Sequence, residues 1–214
     1  MSRHTGVPDA PDQWFRDQIK RGGGIFDRSS YEMCVRNMSA RKKRIALDCG
    51  AHVGSWSLPL SAEFDYVHAF EVDPDNFSYL EKNTEGVKNI ALWNIALGSC
   101  NDPISISKGS QNSGQSHIVF DPRGGVMMRR LDDVIGEDAH ARVDFIKLDV
   151  EGFELPVLVG AKSIIKLSSP LIMVEMNGLS ERYGYKDGDL REYLNSLGYD
   201  KIAACNKDFL YGRN

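Results

Sequence analysis

From residue 45 onward, short apolar runs bounded by turn residues alternate with stretches of helical length, and that rhythm restricts the chain more than any other feature. Apolar runs without polar alternation need cover on both faces, so these strands belong in a parallel sheet flanked by helices. The strands read as Ile45 to Asp48, Tyr66 to Val72, Ile90 to Ala96, Phe145 to Leu148 and Leu171 to Glu175. Helices are expected at 55–63, 75–84, 153–166 and 188–197, the first kinked or shortened by Pro59. Residues 103–128 break the rhythm. Alternation at Ile104, Ser105 and Ile106, with Gly109, Gly114, Gly124 and Gly125, predicts extra antiparallel strands and a loop inserted above the carboxyl edge of the sheet. Asp200 to Ala204 and Phe209 to Tyr211 read as a closing hairpin. Before residue 45, Trp14, Phe15, Ile19, Gly22-Gly23-Gly24 and the stretch Ser30 to Asn37 form a helical lead-in too small to bury its own core. The expected organisation is a lead-in over 1–44 and one α/β domain over 45–214.

Composition narrows the function. The 214 residues suit one domain, and 26 Lys+Arg against 30 Asp+Glu leave a formal charge of -4, with no net positive field for nucleic acid or anionic lipid. The basic run Arg41-Lys42-Lys43-Arg44 reads as the solvated entry to a buried strand. Cys34, Cys49, Cys100 and Cys205 show no metal-ligand spacing and suit reduced thiols. The first residues lack the apolar core of a signal peptide, and no apolar run approaches the ~18 residues of a transmembrane helix. The expectation is a soluble, cytoplasmic protein.

The sharpest local signal is Leu47-Asp48-Cys49-Gly50-Ala51-His52-Val53-Gly54, a glycine-rich turn between the first buried strand and a helix. Dinucleotide sites need a second glycine where His52 stands, so that a pyrophosphate can sit on the helix N-terminus. Asp48 adds a charge that repels it. A ligand with a cationic amino group and no phosphate fits better, and S-adenosylmethionine answers that description. Asp48 is expected to face its ammonium, with Gly50, Ala51, His52 and Gly54 against the aminocarboxypropyl chain and ribose. Glu71, ending Tyr66-Val67-His68-Ala69-Phe70-Glu71, is placed to accept the ribose hydroxyls, with Val72 beside it. Asn94 and Ala96 are expected to flank the adenine. In Asp144-Phe145-Ile146-Lys147-Leu148-Asp149-Val150-Glu151-Gly152-Phe153-Glu154, a strand delivers Asp149 and then Glu151 to the carboxyl edge, where ligands of open α/β sheets bind. Glu154 reads as an exposed or N-terminal acid complementing a helix dipole.

The set Asp48-x-Gly50-Ala51-x-x-Gly54, Ala69-Phe70-Glu71-x-x-Pro74, Asn94-x-Ala96-Leu97-Gly98, Leu131-Asp132-Asp133, Ile146-Lys147-Leu148-Asp149-Val150-Glu151-Gly152-x-Glu154 and Pro170-x-Ile172-x-Val174-Glu175 resembles the FkbM family of S-adenosylmethionine-dependent methyltransferases. The resemblance runs in order from about residue 45 to the C-terminus. It departs from the usual pattern at His52, where Asn is usual, and at Glu71-Val72-Asp73-Pro74, where Glu-Pro is usual. It implies a class I methyltransferase (Rossmann-like) α/β fold: a seven-stranded, mostly parallel sheet with its last strand antiparallel, helices on both faces and an inserted β-hairpin and loop region. It also implies O-methylation of hydroxyls on sugars, polyketides or related metabolites.

Methyl transfer to a hydroxyl needs alignment and a base or metal to take or weaken the proton. Candidates are Asp149 first, then Glu151, Glu175, His52 and His117. Asp149, Glu175 and Asn177 could converge on Mg²⁺, while the plainer reading has Glu175 capping its strand. The rival classes are a nucleic-acid methyltransferase, which would need a basic face and an Asn-Pro-Pro-aromatic loop that the chain lacks, a nicotinamide oxidoreductase, disfavoured by His52 and Asp48, and a non-catalytic binding protein on the same fold.

Overall fold

The computed structural model describes residues 7–109 and 112–213. The lead-in forms α1 (Gln13–Arg21) and α2 (Arg28–Asn37). Then follow β1 (Ile45–Cys49), α3 (Ser57–Glu63), β2 (Tyr66–Phe70), α4 (Pro74–Asn83) and β3 (Ile90–Trp93). The inserted region supplies β4 (Ala96–Leu97), β5 (Pro103–Ser107), β6 (His117–Phe120) and β7 (Val126–Arg129). The chain continues through α5 (Leu131–Val134), α6 (Glu137–His140), β8 (Val143–Leu148), α7 (Glu154–Val159), α8 (Lys162–Ser168), β9 (Leu171–Glu175) and α9 (Asp187–Ser196). It closes on the hairpin β10 (Asp200–Cys205) and β11 (Asp208–Gly212).

Seven strands form one sheet in the order β10-β11-β9-β8-β1-β2-β3, parallel except for β11, which runs against both neighbours. Alternate residues feed two cores. Leu47, Ile146, Ile172 and Val174 pack towards α7, α8 and α9, while Ala46, Val67, Phe145 and Met173 pack with Tyr31, Met33 and Leu60 of α2 and α3. Burial on both faces is what the unalternating runs require. Strand order reverses at β1, between β8 and β2, so the crevice at the carboxyl ends of β1 and β8 is where a ligand of this architecture binds. Among the described residues no helix is long and apolar enough to cross a membrane.

Two predicted elements divide. The strand expected over 90–96 ends at Trp93, and Ala96–Leu97 pairs instead with β7 in a separate four-stranded sheet, β4-β7-β5-β6. The helix expected over 153–166 breaks at Gly160, a position that must be glycine because the place a Cβ would take there lies 2.0 Å from the Gly98 carbonyl oxygen. Asp132 then caps α8 from a distance, accepting from Ser163 N at 2.9 Å and Ile164 N at 3.1 Å. Pro59 sits in the first turn of α3, where its missing N–H costs nothing, and the helix is short rather than kinked. The insertion is docked as well. Asn76 Nδ2 donates to Ser113 O at 2.9 Å and Ser116 Oγ to Asp73 Oδ2 at 2.6 Å, tying residues 113–116 to the start of α4.

Candidate active site

At the β1/β8 crevice lies a cavity of about 400 Å³, within the ordinary range for a small-molecule site. Its floor is built by the β1–α3 turn and the end of β8. β8 is buried apart from Asp144, yet it carries Lys147, in register with Asp48 of β1. Lys147 Nζ donates to Gly50 O at 2.8 Å and lies 3.2 Å from Asp48 Oδ1 and 3.5 Å from Asp149 Oδ2. Burial alone would lower its pKa, but the two carboxylates outweigh it and hold the ammonium charged. Asp48 also accepts from Ser57 Oγ at 2.6 Å and is fully buried outside the cavity lining. The expectation that Asp48 faces a ligand ammonium is therefore corrected: it holds Lys147, and Asp149 is the acid that reaches the cavity.

Of the two glycines, Gly50 lines the cavity, and only the expectation for Gly54 is corrected. Gly50 has φ +82°, and a Cβ there would lie 1.8 Å from Asp149 O, so the residue lets β1 and β8 close on one another. Gly54, at φ +88° and outside the lining, lets the start of α3 meet Leu80 and Thr84 of α4. Ala51 and His52 line the cavity beside Gly50.

Glu71 follows β2, buried at the cavity wall, and its two oxygens accept from His52 N and Asp73 N, each at 2.8 Å. Burial pushes its pKa up to about 7 against those two amides. Val72, Ile95, Ala96 and Leu97 add apolar wall. Asn94 is exposed and outside the lining; its Nδ2 donates to Glu71 O at 2.8 Å and Val72 O at 3.2 Å, so it braces the Glu71 turn rather than flanking a ring.

His52 stands at φ +51°, an uncommon conformation for a residue other than glycine. Ser113 Oγ donates its one proton to Asp12 Oδ2 at 2.5 Å, so His52 Nε2, 2.7 Å from that oxygen, must be the donor of their bond. Nδ1 is then a bare acceptor, buried without a partner. Burial lowers the pKa of His52 to about 4 and keeps the ring neutral. Phe15 covers it, ring centroids 4.0 Å apart.

The Asp149-to-Glu154 turn explains its own sequence. Of the two readings of Glu154, the exposed acid is corrected, since the residue is buried, while it does stand at the N-terminus of α7, and its Oε1 accepts from Val150 N and Gly152 N, each at 3.1 Å. That closes a turn with Glu151 at φ +55° and Gly152 at φ +94°, where a Cβ would strike the Leu179 backbone at 2.6 Å. Glu151 is left facing the cavity, its pKa pushed to about 8 by burial and by Asp149. Glu175, Asn177 and His117 also line it. Asn177 Nδ2 donates to Glu175 Oε2 at 2.7 Å, and among the described residues no three His, Cys, Asp or Glu side chains are placed to hold a metal ion. Asp149, Glu175 and Asn177, named together for Mg²⁺, all line the cavity.

Sequence reasoning missed the contribution of the lead-in. Trp14, Phe15, Phe26 and Asp27 line the cavity, and Trp56 Nε1 fixes the segment by donating to Phe26 O at 2.8 Å. Lys147 was marked by a charge inside an apolar run, whereas Asp208, brought in by the antiparallel β11, carried no local signal.

A family model described as the methyltransferase FkbM domain matches residues 48–201. The chain belongs to the methyltransferase FkbM family. S-adenosylmethionine is accordingly its cofactor. The sequence is similar to hexuronic acid methyltransferase AglP of Haloferax volcanii, 24% identical over 180 residues covering 81% of this chain and 72% of that protein. Among solved structures, the methyltransferase FkbM from Methylobacillus flagellatus superposes with a TM-score of 0.50 at 21% identity, over 79% of this chain but only 43% of that longer one. Magnesium protoporphyrin IX methyltransferase from Synechocystis, solved with bound SAM, gives 0.55 at 13% identity over 99% and 88%. These likenesses establish the class I methyltransferase fold.

Proposed function

We propose that this FkbM-family chain methylates a hydroxyl of a small-molecule or sugar-type acceptor. The observation that carries the reading is the pairing, across one cavity at the topological switch point, of a rigidly held carboxylate at the β2 end with acids at the β8 end. The residues fit the cofactor. Glu71 presents a buried carboxylate, already oriented by two amides and free of any cationic partner, to a vicinal diol, and Val72, Ala96 and Leu97 offer apolar surface to a flat ring. Bound S-adenosylmethionine supplies a methyl group on a positively charged sulfur.

The chain's own residues supply the rest. Lys147 locks Asp149 and the Gly50 carbonyl together, fixing the floor against which the reactants align. Glu151, with its pKa near 8, is matched to accept a hydroxyl proton at the pH of the cell. Asp149 and Glu175 stand beside it to orient the acceptor. The lead-in aromatics exclude water from one side. Likeness to a hexuronic acid methyltransferase supports a sugar-like acceptor, and the formal charge of -4 argues against nucleic acid. A place in the cytoplasm accords with this reading.

The decisive test is calorimetric titration with S-adenosylhomocysteine, with NAD as control. Micromolar binding of the former alone, weakened about tenfold or more in Glu71→Ala, is expected from loss of charge-assisted hydrogen bonds. Absence of binding would sink the reading. An acceptor screen with and without Mg²⁺ follows.

A further inference from the structure

The pairing of β8 with β9 sets Leu148 beside Val174, and the pairing of β9 with β11 sets Glu175 beside Asp208. Asp149, Glu175 and Asp208 therefore stand side by side on three adjacent strand ends, and all three line the cavity. We propose that these three carboxylates make the cavity select positively charged occupants, so that it holds S-adenosylmethionine more tightly than S-adenosylhomocysteine, whose sulfur is uncharged. The inference rests on the cofactor reading above and extends it to how the cavity tells cofactor from product.

Opposing charge is scarce. Two lysines line the cavity against six acids there, Asp27, Glu71, Asp149, Glu151, Glu175 and Asp208: Lys147 is engaged by Asp48, Asp149 and the Gly50 carbonyl, and Lys207 and the nearby Arg182 are the other cations by the cluster. Glu154 adds a further acid beside them. His52, on the same cavity, is neutral, and its buried Nδ1 lacks a donor, which marks the cavity independently as one built around a ligand. A cationic organic ligand such as a sulfonium answers this charge. In a poorly solvated cavity a unit charge a few ångströms away changes binding by about tenfold or more.

The empty cluster relieves its own repulsion by keeping protons. Burial and the neighbouring Asp149 push Asp208 to about 7 and hold Glu175 well above the usual carboxylate range. A cation entering the cavity releases those protons, so its affinity rises with pH, whereas an uncharged sulfur gains nothing. The amino and carboxyl groups are common to both ligands and cancel in the ratio of affinities.

The experiment is calorimetric titration of the full chain with each ligand between about pH 6 and about pH 8.5. The expected result is a preference for S-adenosylmethionine that grows with pH to about tenfold or more, and that flattens in Asp208→Asn and Glu175→Gln. S-adenosylhomocysteine binding by those variants reports that they fold. A ratio that stays constant with pH in the unaltered chain overturns the inference and leaves the cofactor reading intact. Binding of neither ligand overturns both.

Discussion

Gly50 shows how one residue is required for a reason that its motif does not state. Its φ of +82° and the Asp149 carbonyl, 1.8 Å from where a Cβ would stand, make the position intolerant of any side chain. Gly50→Ala is expected to destabilise the fold by about 3 kcal/mol or more, measured by chemical denaturation, because neither opposing group is a side chain that can swing away. Glu151 is the complementary case, a non-glycine residue held at φ +55° in the turn that Glu154 closes, with its side chain at the cavity. With its pKa near 8, a rate limited by the chemical step should rise with pH through about 8. Glu151→Gln should cut kcat by about a hundredfold or more while S-adenosylhomocysteine still binds. Retention of full activity would remove Glu151 as the proton acceptor. Both residues sit in recognisable sequence patterns, but only the crossing of two backbones shows that the glycine is required by packing while the acid is left facing the cavity.

At the scale of elements, the lead-in is tied into the site by one carboxylate. Asp12 caps α1, accepting from Phe15 N at 2.7 Å, and reaches across to Ser113 N at 3.1 Å and Ser113 Oγ at 2.5 Å. Those hydrogen bonds hold its pKa below the usual carboxylate range despite the opposing effect of burial. Asp12→Ala should cost about 1–2 kcal/mol and raise hydrogen exchange through α1 and residues 112–116, leaving exchange in β1 and β8 unchanged. Equal exchange in α1 would show that packing of Phe15 and Ile19 alone holds it. The Trp14-Phe15 pair is legible as an amphipathic helix. That this helix covers His52 is not, since the contact joins residues far apart in sequence.

For the whole molecule, the surplus of buried acids sets how stability follows pH. Burial pushes Glu71, Glu154 and Asp208 to about 7, and Glu151 to about 8. The folded chain thus keeps protons that the unfolded chain has released, and stability falls as pH rises from about 4.5 through about 8. His52 and His68 act oppositely. Burial lowers both to about 4, so the unfolded chain binds their protons first and stability falls as pH drops below about 6.5. The melting temperature is therefore expected to fall steadily from about pH 6.5 to about pH 8.5 at constant ionic strength. A flat or rising profile over that window would contradict the burial of these groups.

What the sequence alone determined is the sheet's parallel core, the Glu71 and Asp149 strand ends and the family, because these depend on apolar periodicity and on residues adjacent in the chain. The tertiary structure decided which acids face the cavity. Asp48 pairs in register with Lys147 and Asp149 lies two residues beyond it, and only the pairing of β1 with β8 buries the first beside the lysine and leaves the second at the cavity. Asp208 joins the site only because β11 returns antiparallel beside β9. Such placements are made by strand register and chain reversal, which bring together residues whose local sequence carries no trace of one another.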